Sequence, residues 1–284
     1  MLRGLAVEES VGINPHKFGL IGSTDLHAGL STCEENNFWG KMAVDSIPEN
    51  KGPGVIGGRG ASGWDMSASG LAAVWATENT RQGIFSAFKR REVYATTGPR
   101  IRVRFFGGWS FDPSAADAEN LAEIGYTQGV PMGGDLTRPA YDGESKIQFL
   151  VRAVKDPKDA NLDRIQIVKG WLDGEGETHE QVFNVAWSDG RQLDAEGGLP
   201  AVGDTVNREI PGYTNTIGSP ELSTVWVDPS FDPDQHAFYY VRVLQIPTPR
   251  HSLYDAVALG IDPPNEWPAV IQERAYTSPI WYTP

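Results

Sequence analysis

Two residues in the stretch Gly22-Ser-Thr-Asp25-Leu-His27-Ala-Gly29 have the types and spacing that chelate a divalent cation. Residues two apart on an extended chain project to one face, which sets the Asp25 carboxylate beside the His27 imidazole. One carboxylate and one neutral imidazole suit Zn, Mn or Fe, whereas an all-oxygen set favours Mg or Ca. The same spacing also serves surface polar pairs and capped turns, so the pair alone leaves both readings open. Its context puts the metal reading level with the other. A short apolar run, Phe18-Gly-Leu-Ile-Gly22, leads into the pair as a buried strand, and a glycine-rich aperiodic loop follows it. Active sites on α/β scaffolds sit at such strand ends.

Other side chains near the pair in sequence have chemistry to offer. Glu34 and Glu35, in Glu34-Glu-Asn-Asn37, are placed to line the same cleft and orient water, or else to supply acidic residues to the first turn of a helix. Arg81, Arg91 and Arg100 flank a helix and the turn Thr96-Thr-Gly98, where a guanidinium either grips a phosphate or sulfate bidentately or serves as surface charge. The remaining histidines, His16, His179, His236 and His251, are expected to be solvated or hydrogen-bonded. Nucleophilic hydrolysis lacks its signatures: there is no Gly-x-Ser-x-Gly elbow and no Walker loop, and the lone Cys33 has no evident His partner. The run Gly54-Val-Ile-Gly-Gly-Arg-Gly-Ala-Ser-Gly63 neither follows a clear strand nor opens a helix, as a phosphate cradle requires.

These residues need elements to hold them. Leu2, Leu5 and Ala6 at helical spacing, then Gly12, predict the tail of an amphipathic helix. From Ala28 to Gly70 periodicity is lost, and loops this long are often functional lids. Thr80 is a natural N-cap for Arg81-Gln-Gly-Ile-Phe-Ser-Ala-Phe-Lys-Arg-Arg-Glu92, with Ile84, Phe85 and Phe88 as the apolar face and Lys89, Arg90 and Arg91 at the C-terminal end. Beyond Gly98-Pro99 the pattern turns to period two, in IRVRFF, KIQFLVRAV, LDRIQIVKGWL, QVFNVAWS, TVWVD, AFYYVRVLQI and SPIWY. Turn clusters separate these runs, which predicts an antiparallel β-sandwich over residues 101–284 after a first part over residues 1–100.

Composition bounds the partners. The 284 residues carry 24 Lys and Arg against 37 Asp and Glu, a formal charge of −13, so the surface repels phosphate backbones and nucleic acid is not an expected partner. Hydrophobic residues make 40% of the chain and nine are Trp, enough to drive folding. No apolar run is long enough for a membrane span, no run in these 284 residues has the pattern of a signal h-region, and the single cysteine excludes an internal disulfide. A soluble chain is expected, its compartment open, and exported if a signal peptide precedes it.

The stretch Ile13–Arg102 resembles the closing part of a PHP domain, the polymerase and histidinol phosphatase superfamily of metal-dependent phosphoesterases. GSTDLHAG is similar to that superfamily's late Asp-x-His ligand motif. GINPHKFGLIGSTDLHAGL, EENNFWGK, REVYATTGPRIRVRFFGGW, LDRIQIVKGW and ERAYTSPIWY resemble the uncharacterised domain-of-unknown-function family 3604 across nearly the whole chain. The resemblance implies α/β plus all-β architecture: the C-terminal portion of a distorted (β/α) barrel, then the sandwich. It also implies hydrolysis of a phosphate ester or related small anionic ester by metal-activated water, with Asp25 and His27 as metal ligands. Complete members open with a His-x-His strand motif, and none occurs here. The expectation is therefore a fragment whose partner is the missing N-terminal part of its own barrel, inactive or weakly active alone and not bound to retain metal. The alternative is a non-catalytic sandwich module for a carbohydrate or protein partner, with Trp171, Trp187 or Trp226 as a sugar platform, although tryptophans of this kind more often belong to the core.

Overall fold

Period-two apolar runs give the described chain its strands, and a computed structural model describes residues 1–27, 29, 34–51, 62–68, 70–138, 146–263 and 265–284. Cys33 and residues 52–61 of the glycine-rich run lie outside the described residues. In chain order the elements are α1 (Leu2–Val11), α2 (Pro48–Lys51), β1 (Leu71–Val74), α3 (Arg81–Lys89), β2 (Val93–Thr96), β3 (Arg102–Gly108), α4 (Leu121–Gln128), β4 (Gly129–Pro131) and β5 (Asp135–Thr137). They continue with β6 (Gln148–Val154), β7 (Leu162–Leu172), β8 (Thr178–Trp187), β9 (Glu221–Val227), β10 (Ala237–Gln245), β11 (Thr248–Pro249), α5 (His251–Leu259), β12 (Val270–Ile271), β13 (Arg274–Thr277) and β14 (Ile280–Thr283).

Two sheets face each other. The smaller runs β4-β3-β6-β9 and is antiparallel throughout. In the larger, β8, β7 and β10 are antiparallel neighbours, and the other edge of β10 takes β13 along Arg242–Leu244 and β14 along Ala237–Tyr239. β13 leads on to β2 and β1, and β14 pairs with β5 in parallel. The two parts divided by sequence pattern at residue 100 thus share one sheet, through Ala275 opposite Thr96. Alternate residues fill the space between the sheets: Val103, Phe105, Phe149 and Val151 from one, Ile165, Ile167, Tyr239, Val241 and Val243 from the other. Each such side chain contributes about 1.5–3 kcal/mol by leaving water. The architecture is mixed α/β with mostly antiparallel sheets, and no barrel closes among the described residues.

Helices cover the outer faces. Leu5 of α1 packs with Leu172, Phe238 and Trp281, and α1 ends at Gly12, whose φ of 77° is the left-handed geometry expected of a glycine stop. Thr80 caps α3 as its sequence predicts, its Oγ1 accepting the Gly83 N–H at 3.1 Å. The expected apolar face is turned outward, however: Gly83 and Ala87 are the buried residues of α3, while Phe85 and Phe88 are 56% and 39% exposed.

The run before Asp25 also departs from expectation. Phe18–Thr24 is extended but forms no strand, and Phe18 and Ile21 are exposed. It lies against β1 through one bond, Gly22 N–H to the Leu71 carbonyl at 3.2 Å, and is tied to the loop after β13 by Leu20 N–H to Ser278 Oγ at 2.9 Å. Only glycine allows this approach, since a Cβ at Gly22 would stand 2.7 Å from the Leu71 carbonyl oxygen.

Candidate functional site

Asp25 ends that extended run with φ at 51°, a left-handed conformation uncommon outside glycine. The pair is therefore not set side by side by strand alternation, as its spacing predicted. A tight turn does it: His27 Nδ1 lies 3.0 Å from the Asp25 carbonyl oxygen and 4.0 Å from Asp25 Oδ1. A carbonyl only accepts, so Nδ1 carries the proton and Nε2 keeps its lone pair. The His27 N–H donates to the Lys41 carbonyl at 2.8 Å, and the Lys41 ammonium pairs with Asp25 Oδ2. That ammonium holds the Asp25 carboxyl below the usual carboxylate range. Lys41 is itself fixed by buried Asp45, whose Oδ2 accepts the Lys41 N–H at 2.9 Å and whose Oδ1 accepts the Met42 N–H at 2.6 Å. Asp25, Lys41 and Asp65 line a cavity of about 300 Å³ whose wall includes Phe38 and Met66.

Glu35 belongs to a neighbouring cavity of about 180 Å³, not to the Asp25 cleft, and Glu34 lines it too. His251 stands in the wall between the two. Its ring meets Phe38 at 4.5 Å, its Nε2–H donates to the Met66 carbonyl at 2.8 Å, and its backbone N–H donates to Glu35 Oε2 at 2.6 Å. Burial, then the Arg250 guanidinium, pushes the imidazole down to about 3, so it is neutral. Glu273 shares the Glu35 cavity and hydrogen-bonds the Glu35 carboxylate, and it also accepts from Thr97 Oγ1. Burial and the adjacent Glu35 charge push Glu273 up to about 8, and burial raises Glu35 as well. One proton between two carboxyls is the expected state at neutral pH. Asp159, also raised by burial, lines the same space with Tyr213, whose hydroxyl donates to Asp159 Oδ1 at 3.2 Å.

The three arginines expected to bind substrate do not converge. Arg81 is exposed at the start of α3, Arg91 pairs with Asp135 at 2.6 Å, and the Arg100 N–H donates to Asp156 at 2.8 Å. None of them lines the Asp25 or Glu35 cavity. Of the other histidines, His179 contacts Asp173 at 2.6 Å and His236 contacts Glu9 at 3.3 Å. Trp171 and Trp226 pack partly buried against the intersheet core, and Trp187 donates to the Arg191 carbonyl at 2.7 Å.

Sequence reasoning missed Lys41 and Glu273, and it named His251 as a hydrogen-bonded residue, which it is, without linking it to either cavity. EENNFWGK contains Lys41 without marking it as the partner of Asp25, and some 240 residues separate Glu35 from Glu273 with no motif joining them. Among the described residues, no group of three or more His, Cys, Asp or Glu converges to hold a metal ion. Nor is any described helix long and apolar enough to cross a membrane. The family model described as protein of unknown function (DUF3604) matches residues 1–284. No curated protein and no solved structure matches the chain.

Proposed function

This chain belongs to the DUF3604 family over residues 1–284, and on that premise we propose that Asp25 and His27 are two ligands of a divalent-metal site that hydrolyses a phosphate ester or related small anionic ester. The observation that carries the proposal is the turn at Asp25. A left-handed non-glycine residue there costs of order 1 kcal/mol, and it points the His27 Nδ1–H at a backbone carbonyl, leaving Nε2 available to a cation. The donor set, one carboxylate and one imidazole, fits Zn, Mn or Fe. Two protein donors are fewer than the three a catalytic metal usually has, and the proposal takes the remaining ligands from outside the described residues. In this proposal a segment beyond this chain supplies them and completes a PHP-like barrel.

When bound, the ion supplies Lewis-acid polarisation of the ester and activation of water. The chain's own residues then have defined work. Lys41 neutralises the Asp25 carboxylate through Oδ2 and leaves Oδ1 as the oxygen that would face the cation. Glu35 lies behind His251, in the adjoining cavity, and positions that wall; it does not touch the reacting groups.

The test is hydrolysis of phosphate monoesters and diesters with Zn, Mn or Fe added. The 284-residue chain alone is expected to be inactive, and a longer protein that contains it active, with activity and bound metal both lost in Asp25→Ala and His27→Ala. Robust turnover by the isolated chain would overturn the shared-site proposal. Unchanged metal content and activity in the two variants of the longer protein would favour the non-catalytic sandwich module instead.

A further inference from the structure

At the far end of β1 from the Asp25 turn, the structure gathers two arginines that sequence spacing did not single out. Arg104 stands on the outer face of β3, its guanidinium carbon 3.3 Å from the centre of the Trp75 ring, and its Nη1 donates to the Tyr126 hydroxyl oxygen at 3.1 Å. The Tyr126 hydroxyl donates in turn to Glu92 Oε1, and Arg90 Nη2 donates to Glu92 Oε2 at 3.1 Å. Glu92 is buried and pairs directly with Arg90 alone, Arg104 reaching it only through the Tyr126 hydroxyl, so two guanidiniums stand beside a single carboxylate on a chain of net charge −13. Burial and the bond to Glu92 push the Tyr126 hydroxyl up to about 12, which keeps it protonated and the relay intact.

These four side chains and Trp75 line a cavity of about 430 Å³. Trp75, Ala76 and Thr77 also line a groove of about 720 Å³ that continues along Val74, Ile84 and Phe88. The outward-turned apolar face of α3 thus forms the wall of a space whose other end is cationic. Stacking on Trp75 holds the Arg104 guanidinium in place, and a guanidinium held in this way binds an anion at little further cost in entropy.

We propose that this two-part cavity binds a small amphipathic anion, its carboxylate or phosphate head on Arg90 and Arg104 and its apolar body against Val74, Ile84 and Phe88. The site is independent of the proposed metal site. Calorimetric titration of the 284-residue chain with octanoate, phenylphosphonate, inorganic phosphate and 1-octanol tests it. Octanoate and phenylphosphonate are expected to bind at least about tenfold more tightly than inorganic phosphate or 1-octanol, the ratio of the first two telling which head is preferred. Arg104→Gln and Arg90→Gln each weaken both anions about tenfold or more. Phe88→Ala weakens octanoate and leaves phosphate unchanged. Arg104→Gln also removes the stack on Trp75 and can loosen the fold; Arg90, 49% exposed and off that ring, provides a variant that leaves the stack in place, with the melting temperature of each variant read alongside. Asp25→Ala and His27→Ala leave binding as it was. Octanoate binding that is absent, or unaltered in Arg90→Gln, overturns the proposal, as does phosphate that binds as tightly as octanoate.

Discussion

Glu273 shows how far one residue's surroundings can move its chemistry. Burial, the Glu35 charge and the Asp159 charge all raise its carboxyl, against the bond from Thr97, from an ordinary 4.5 to about 8. The folded chain therefore holds a proton that the unfolded chain releases above pH 4.5. Stability from this group is fully present below that value, drains as pH rises and levels off past about 8. Glu273→Gln, a neutral isostere of the protonated acid, is expected to flatten the fall in melting temperature between about pH 5 and 8 and to raise stability at the upper end. A melting profile with the same slope as the parent's would contradict the shared-proton state. None of this is visible in the sequence, because Glu35 and Glu273 are joined only by tertiary packing. Asp25 and His27 were legible for the opposite reason: both lie within three residues and their types alone suggest a cation. Their geometry was not, since the left-handed turn at Asp25 replaces the strand that spacing implied.

At the scale of elements, buried ionic contacts hold the site's walls. The Lys51 ammonium at the end of α2 lies 2.8 Å from Asp255 Oδ1 in α5 and donates to the Phe38 carbonyl at 2.7 Å, while Trp64 Nε1–H donates to Asp255 Oδ2 at 3.0 Å. Arg250 adds bonds to the Trp64 and Met66 carbonyls at 2.8 and 2.9 Å. Asp255→Ala leaves the Lys51 charge buried and unpaired, at an expected cost of about 3–5 kcal/mol in urea unfolding. A loss below about 1 kcal/mol would mean that α2 and α5 are not pinned by this pair. The period-two runs named from sequence correspond to β3, β6, β7, β8, β9, β10 and β14, all but β14 at least seven residues long and rich in β-branched and aromatic residues. β4, β5, β11 and β12 span two or three residues each, too few for any period to register. α3 was legible through its cap, but the direction of its face was not: Phe85 and Phe88 look outward because small Gly83 and Ala87 are what the close contact admits.

For the whole molecule, β1 and β2, which precede residue 100, join the larger of the two sheets through β13, so the segment that carries the Asp25 turn and the sandwich are tied by common hydrogen bonding. A short segment lying against β1, admitted by Gly22, brings the proposed ligands to the margin of that sheet. At that margin Asp25 and His27 remain exposed, 74% and 50% by side chain, and open to a cation. The direct measurement is a zinc titration of the 284-residue chain followed through the imidazole nitrogen resonances of its five histidines. The Nε2 resonance of His27 is predicted to shift on zinc addition, with Nδ1 still protonated, and to stop responding in Asp25→Ala. A His27 resonance that ignores zinc, or responds equally in Asp25→Ala, would contradict the assignment of this pair as metal ligands.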